Sequence, residues 1–306
     1  MSELEPVGKY MNLLNDFGFK YVFSKKEFLI HFLNELFREK EKIIDIEYLP
    51  TEQLGKTEAD RKAIFDIFCK NDKGEYILLE MQNVPQQYFH ERSIFYSSFL
   101  IQRQAEKGDW NYELKKIYVI GVLNFNLFQE EDGKYVEEAY LMRQSNNECL
   151  SEKLRFIYIE LPKFNKTIEE LKTPFEVWLY ILKNSKKLEA QPETIKDKIF
   201  KKLFKTIEIN KLTIKNMKLY QKSDLKYEDF SNFTSYAEKQ GREKGKQEGI
   251  MEGRILGIME GHQIGVREGK MQSQQAIANK LLAKGMSIDD IAQITGLSNQ
   301  QIQRLK

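Results

Sequence analysis

A turn-prone tetrapeptide between two apolar runs constrains the fold of this chain more than any other feature. Residues 61–82 read RKAIFDIFCKNDKGEYILLEMQ, and the turn-forming letters NDKG stand at residues 71–74. Two such runs joined by a short Asn/Asp/Gly turn are typical of a β-hairpin. The pattern therefore predicts two paired antiparallel strands.

Two carboxylates interrupt these apolar strands. Asp66 lies inside the run 63–69 and Glu80 follows the run 76–79, so both fall where strands place buried or half-buried side chains. A type I turn with Gly74 in the left-handed conformation adds one bulged residue, and Asp66 then stands opposite Glu80. Opposed side chains share a face with Cβ atoms about 5 Å apart, so two like charges there destabilise the sheet unless a cation lies between them.

Gln82 points to the same face as Glu80 because side chains alternate along a strand. The three polar residues are compatible with a metal site. They are equally compatible with a structural arrangement in which Asp66 pairs with a lysine or caps a neighbouring element and Gln82 is an ordinary polar strand residue. The hairpin alone leaves both alternatives open.

Three sequence blocks extend the pattern. They are DFGFKYVF from residue 16, DRKAIFDIFCKNDKGEYILLEMQ from residue 60 and HERSIFYSSFLIQRQ from residue 90. In order and spacing they resemble the PD-(D/E)XK nuclease superfamily and, more closely, its recombination-promoting nuclease/putative transposase family, over roughly residues 10–235. The resemblance implies an α/β fold with a restriction-endonuclease-like mixed sheet flanked by helices and a C-terminal helical extension.

The same resemblance implies a metal-dependent DNA endonuclease that hydrolyses phosphodiester bonds in recombination or transposition. The alternative is a non-catalytic DNA-binding or assembly protein on the same fold, because a fold does not establish an activity. A metal titration combined with a plasmid nicking assay separates the two.

The implied catalytic residues are Asp66, Glu80, Gln82 and an acidic residue on an N-terminal element. Asp66 and Glu80 would hold Mg²⁺, with Mn²⁺ as a possible substitute, since hard cations prefer carboxylate and water oxygens. Gln82 stands where lysine is usual in the superfamily; it can orient a water molecule but cannot accept its proton at neutral pH, so the metal ion would activate the water. Asp16 is the candidate for the third acid, with Glu47 as a weaker alternative; Asp16 is equally able to cap a helical turn.

Composition sets looser bounds. The 306 residues are 31% charged with a net charge of +2, and no uninterrupted apolar run has the length that crossing a bilayer requires. Two cysteines, Cys69 and Cys149, form no disulfide framework and no zinc motif. These features predict a cytoplasmic protein without membrane contact. That its main partner is DNA is what the family resemblance implies.

Periodicity predicts the elements around the hairpin. The predicted helices cover residues 25–37 and 86–107 and begin again at residue 174, and the predicted strands cover residues 43–49, 117–125, 135–142 and 154–161. On the second helix, Arg92, Tyr96, Gln102 and Arg103 can lie near one another, either to contact phosphate or as a solvated face around a buried tyrosine. The solvated face is slightly favoured.

The chain is predicted to comprise four segments: a nuclease core at residues 1–165, a basic helical extension at 166–235, a glycine repeat at 236–272 and a small helical tail at 273–306. Residues 183–226 hold 13 lysines and five acidic residues and so carry a local net charge of +8. Such a segment either lies against a polyanion or forms an ordinary solvated helix face.

The glycine repeat is strict, with a glycine at every fourth residue from 241 to 269. Eight glycines destabilise an isolated helix by about 1 kcal/mol each, so the segment is either a helix that associates with another chain or a flexible linker. The helix would join protomers into a homo-oligomer. The tail resembles a helix-turn-helix, but Asp289 and Asp290 on its middle helix favour a packing or dimer element over a DNA reader.

Overall fold

The computed structural model describes residues 8–38, 41–53, 63–105, 111–129 and 133–305. The chain divides into two compact units, Met1–Phe230 and Ser231–Lys306. The first unit contains the sheet and the hairpin, and the second contains most of a long helix and the C-terminal tail.

The strands of the described residues are β1 Ile46–Tyr48, β2 Glu52–Gln53, β3 Ala63–Ile64, β4 Ile67–Asn71, β5 Tyr76–Gln82, β6 Ile117–Leu123, β7 Val136–Met142 and β8 Cys149–Glu160. Six of them form a mixed sheet at the centre of the first unit, in the order β1-β4-β5-β6-β8-β7. The strands β5, β6 and β8 run parallel to one another, whereas β1 with β4, β4 with β5 and β7 with β8 pair antiparallel. A separate antiparallel ladder joins β2 to β3.

Helices flank this sheet, which confirms the predicted α/β class. The helices of the first unit are α1 Asp16–Phe23, α2 Lys26–Phe37, α3 Phe89–Gln102, α4 Pro174–Asn184 and α5 Lys198–Thr206, with short 3₁₀ turns at Leu161–Lys163, Ile168–Glu170, Ser185–Lys187 and Ile209–Lys211. Local sequence sets their starts: Asn15 caps α1 by accepting from the Gly18 N–H, and Thr173 with Pro174 begins α4 as predicted.

The hairpin register is the predicted one. Ile67 pairs with Leu79 and Lys70 with Tyr76, and the turn closes where the Gly74 N–H donates to the Asn71 carbonyl at 2.9 Å. Gly74 has a φ of +79°, a conformation that glycine adopts without a Cβ clash. The ladder ends at the pair Ile67–Leu79, and the same register extended by one residue sets Asp66 opposite Glu80.

The two faces of the sheet bury different side chains. Odd-numbered residues of β5, such as Ile77 and Leu79, pack with α1, α2, α4 and α5 around Trp178. Even-numbered residues, such as Leu78, pack with Leu100 of α3 in a second cluster. Because Glu80 is even-numbered, its side chain belongs to the face that α3 covers.

Two further helices and one long helix complete the chain. They are α6 Ile214–Ala283, α7 Ile288–Thr295 and α8 Asn299–Gln303. All eight repeat glycines lie within α6, so the repeat is helical and does not form an irregular linker. Ala278, Ile291, Leu297 and Ile302 form a small core where the end of α6 meets α7 and α8. None of the described helices combines the length and apolar character that spanning a bilayer requires.

Candidate active site

The hairpin brings Asp66 next to β5. Asp66 lies one residue before β4, and its Oδ2 accepts a hydrogen bond from the Met81 N–H at 3.0 Å. Its Oδ1 lies 3.1 Å from the Lys20 ammonium. The carboxylate is therefore held at both oxygens, beside the backbone of the residue that follows Glu80.

Glu80 is nine-tenths buried, with 10% of its side chain exposed. It pairs with Gly121 of β6, where a Cβ would lie 3.3 Å from the Phe89 ring. Glycine at this position lets α3 approach the sheet closely. The first turns of α3 therefore cover Glu80 instead of leaving it to solvent.

Burial and the neighbouring charge of Asp66 raise the pKa of Glu80 to about 7, against the opposing effects of Arg92 and Lys20. An ordinary glutamate titrates near pH 4.5, so Glu80 takes up a proton close to neutrality. Its Oε1 is buried and finds no hydrogen-bond partner among the described residues. A carboxylate oxygen in that state favours a cation or a proton beside it.

Arg92 of α3 connects Glu80 to Gln82. Its Nη2 donates to Gln82 Oε1 at 2.8 Å and lies 3.3 Å from Glu80 Oε2, and its Nη1 donates to Gln86 Oε1 at 2.5 Å. The guanidinium carbon also lies 5.5 Å from the Tyr96 ring centroid. The four polar residues of α3 singled out in the sequence therefore separate into two pairs. Arg92 and Tyr96 face the hairpin carboxylates, whereas Gln102 and Arg103 are exposed.

Asp16 approaches the site through Lys20. Asp16 is the first residue of α1, with 67% of its side chain exposed, and its Oδ1 lies 2.5 Å from the Lys20 ammonium. Burial lowers the pKa of Lys20, but hydrogen bonds and charges from Asp16 and Asp66 outweigh that effect and raise it above its ordinary value. Lys20 therefore carries a full positive charge between the two carboxylates. The helix cap itself is Asn15 and not Asp16.

Glu47 lies away from this group. It is exposed on β1 and pairs with Lys70, which is four residues beyond Asp66 along the hairpin. At about 3.3 Å per residue of strand, that separation is roughly 13 Å. The structure therefore brings Asp16, Asp66, Glu80 and Gln82 into one connected group and leaves Glu47 outside it.

The residues present fit a hard cation held by two carboxylates. In the described part of the chain no group of three or more His, Cys, Asp or Glu side chains is arranged to hold a metal ion. Mg²⁺, however, keeps several of its waters and commonly uses one or two carboxylates. Asp66 and Glu80 supply such a pair, and Glu80 Oε1 is an unpartnered oxygen beside it.

Comparisons with known proteins agree with this geometry. A family model described as PD-(D/E)XK nuclease family transposase matches residues 13–237. The chain belongs to this family. A second model, the C-terminal HTH domain of the Rpn/YhgA-like nuclease family, matches residues 272–306. A search of curated proteins and a search of solved structures each found no match.

The two matches confirm the resemblance read from the three sequence blocks and the helix-turn-helix resemblance of the tail. Most of the glycine repeat falls between them. As a member of the PD-(D/E)XK family the chain differs from the usual motif at Gln82, and the structure supplies two cations nearby from helices, Lys20 and Arg92.

Lys20 is the site residue that sequence reasoning missed. It lies in the block DFGFKYVF, four residues after Asp16, and residues at that spacing meet on one helix face. That spacing pairs Lys20 with Asp16 but gives no sign of its contact with Asp66, which depends on how α1 packs against the hairpin.

Proposed function

We propose that this protein is a metal-dependent DNA endonuclease that hydrolyses phosphodiester bonds and acts in recombination or transposition. Membership of a nuclease and transposase family supports the reaction class. The observation that carries the proposal is the pair formed by Asp66 and Glu80, in which a buried carboxylate with an unpartnered oxygen lies near enough to a second carboxylate for that charge to raise its pKa.

Asp66 and Glu80 would hold the metal ion, with Mg²⁺ as the cofactor and Mn²⁺ as a substitute. When bound, such an ion offsets negative charge that develops on the phosphate and lowers the pKa of the attacking water. Gln82 has an amide N–H₂ that can donate to the water or to a phosphate oxygen while its Oε1 stays bonded to Arg92. Gln82 would therefore orient the water or the phosphate but accept no proton.

Lys20 and Arg92 would contact the scissile phosphate. Each belongs to a different helix and each now neutralises one of the carboxylates, Lys20 with Asp66 and Arg92 with Glu80. A cation that replaces them at the carboxylates would leave both side chains available for phosphate oxygens, to which guanidinium and ammonium groups bind strongly. Asp16 would keep Lys20 within reach through its contact on the exposed side.

The test is cleavage of supercoiled plasmid with Mg²⁺ or with EDTA by the wild type, Asp66→Asn and Glu80→Gln. Both variants should lose Mg²⁺-dependent cleavage and bind Mg²⁺ more weakly in calorimetry, because each loses one carboxylate charge at nearly constant volume. Asp45→Asn is the matched control, since Asp45 is an exposed carboxylate paired with Lys26. Wild-type rates from either site variant would reject the assignment. DNA binding without any metal-dependent cleavage by the wild type would support the non-catalytic alternative.

The basic helix α5 is proposed as part of the DNA-binding surface. Its buried residues are Phe200, Leu203 and Phe204, and the opposite face exposes Lys198, Lys201, Lys202 and Lys205. Lys202 pairs with Glu27 at 2.6 Å. The other three lysines form no ion pair with the part of the chain that the structure describes, and they can neutralise phosphates.

We further propose that the glycine repeat joins protomers. A Cβ added at any of the eight repeat glycines meets no atom of the described residues within 4 Å, so those residues leave this stripe uncovered. Large apolar side chains are exposed on the same stretch, at Ile250, Met251, Ile255, Leu256, Ile258 and Met259. A second copy supplies an identical small-residue stripe and apolar surface, as close backbone packing between helices requires. Cytoplasmic location stays a prediction from the sequence.

A further inference from the structure

The first turns of α6 hold the segment that precedes α1. Asp224 Oδ1 accepts hydrogen bonds from Asn12 Nδ2 at 3.0 Å and from Asn15 Nδ2 at 3.1 Å. Its Oδ2 lies 2.9 Å from the Lys186 ammonium. Asn12 and Asn15 are more than 95% buried, so Asp224 supplies hydrogen-bond acceptors that water cannot replace at these amides.

Two backbone contacts join the same elements. The Asn12 N–H donates to the Tyr220 hydroxyl at 3.1 Å, and the Phe17 N–H donates to Ser223 Oγ at 3.0 Å. Phe17 belongs to the first turn of α1, where N–H groups have no partner within the helix. The start of α1 therefore depends on α6 for part of its hydrogen bonding.

Asn15 links this contact to the orientation of α1. Its Nδ2 donates to Asp224 while its Oδ1 accepts from the Gly18 N–H at 2.7 Å, so one side chain bonds both helices. At Gly18 a Cβ would lie 2.1 Å from the Asn12 carbonyl oxygen, so the segment passes tightly under the helix. Because Asp224 bonds both asparagines of this segment and Asn15 caps α1, we expect a shift of Asp224 to move the start of α1.

We propose that Asp224 is a positioning residue for the hairpin site, acting through Asn12 and Asn15 to hold α1 where Lys20 meets Asp66. Lys20 lies on α1 about one and a half turns after its cap Asn15, and its ammonium is 3.1 Å from Asp66 Oδ1. The start of α6 then belongs to the same functional unit as the two carboxylates. Its catalytic consequence rests on the proposed nuclease function, whereas its structural consequence does not.

The experiment compares three variants of the full chain. Asp224→Ala removes the shared acceptor. Asp224→Asn keeps an oxygen that can accept from both amides and serves as the conservative rescue. Glu228→Ala is the matched control, because Glu228 pairs with the same Lys186 one turn further along α6 but contacts neither asparagine.

Two readouts need no activity. Hydrogen exchange of a peptide covering residues 12–18 should quicken at least tenfold in Asp224→Ala. The Asn12 and Asn15 side chains lose the acceptor that ties them to α6, so the backbone amides between them open more often. Trace labelling with acetic anhydride, read by mass spectrometry, should modify Lys20 several-fold faster when its contact with Asp66 loosens. Asp224→Asn and Glu228→Ala should stay within about twofold of the wild type in both.

Cleavage of plasmid DNA at saturating Mg²⁺ is the third readout. Asp224→Ala should cleave roughly 10- to 100-fold more slowly, a typical cost of misplacing a group by about 1 Å, while Asp224→Asn recovers most of the rate. Unchanged exchange and labelling in Asp224→Ala would overturn the inference, as would faster labelling with an unchanged cleavage rate. If the wild type cleaves no DNA, the proposed function fails, and the exchange and labelling results still decide the positioning role.

Discussion

The buried carboxylate of Glu80 makes a quantitative prediction for Glu80→Gln. Glu80 has a pKa of about 7 in the folded chain against an ordinary value of 4.5. Between these pH values the folded state keeps the proton that the unfolded state has lost, so the free energy of unfolding falls as the pH rises from 4.5 to 7. At about 1.4 kcal/mol per pH unit, ionised Glu80 costs the fold roughly 3 kcal/mol at pH 8.

Glutamine keeps the shape of the side chain and carries no ionisable proton. Without metal, Glu80→Gln should therefore be more stable than the wild type by roughly 3 kcal/mol at pH 8, and by less than about 1 kcal/mol at pH 5. Effects of the substitution on packing or on Arg92 do not change between these pH values to the same extent. The difference between the two pH values thus isolates the ionisation of Glu80.

The measurement is denaturant unfolding in EDTA at both pH values, followed by tryptophan fluorescence, which includes the fully buried Trp178. Addition of Mg²⁺ at pH 8 should stabilise the wild type, by about 2.7 kcal/mol at one hundred times the dissociation constant, and Glu80→Gln much less. The reasoning is refuted if the stability difference between wild type and variant is the same at pH 5 and pH 8.

Three further predictions concern the neighbouring charge, the basic helix and the repeat. Gln82→Lys should lower plasmid cleavage, because an ammonium would stand where Gln82 now accepts a hydrogen bond from Arg92 at 2.8 Å. The double variant Gln82→Lys with Arg92→Gln should recover part of the loss. Equal activity of the single variant and the wild type would contradict this prediction. Joint replacement of Lys198, Lys201 and Lys205 by glutamine should weaken DNA binding and reduce the slope of log affinity against log salt by up to about 3, while the paired Lys202→Gln changes the slope little. Replacing the glycines at 249, 253, 257 and 261 by alanine raises the intrinsic helix propensity by roughly 4 kcal/mol, so helical content measured by circular dichroism should rise. The added methyl groups should nevertheless reduce association measured by sedimentation. An unchanged oligomeric state would exclude the repeat from the interface.

The hairpin was predictable from the sequence because its determinants are local. The turn letters at residues 71–74 and the glycine conformation fix the register, and the register alone opposes Asp66 and Glu80. Apolar periodicity similarly gave β6 and the start of α4 within a few residues, since strands covered on both faces and capped helices carry their signal in contiguous residues.

The contacts of the site could not be predicted in the same way. Lys20 reaches Asp66 across 46 residues of sequence, and Asp224 reaches Asn12 across 212. Nothing in a local pattern records which of 48 lysine and arginine residues will meet a given carboxylate. Such pairs depend on how the helices pack on the sheet. That packing is determined by all the core residues together and not by any local stretch of sequence.

The replacement of lysine by Gln82 changes what the site depends on. A lysine on β5 would carry its charge on the same strand as Glu80, held by the ladder with β4 and β6. Here the two cations come from α1 and α3, so their distance from the carboxylates depends on tertiary packing: Phe89 against Gly121 for Arg92, and Asn15 with Asp224 for Lys20. Packed helices can slide by small amounts against their neighbours, whereas paired strands are tied to each other by a hydrogen-bonded ladder. The rate of a site built in this way should respond to changes at the start of α6 that leave both carboxylates in place.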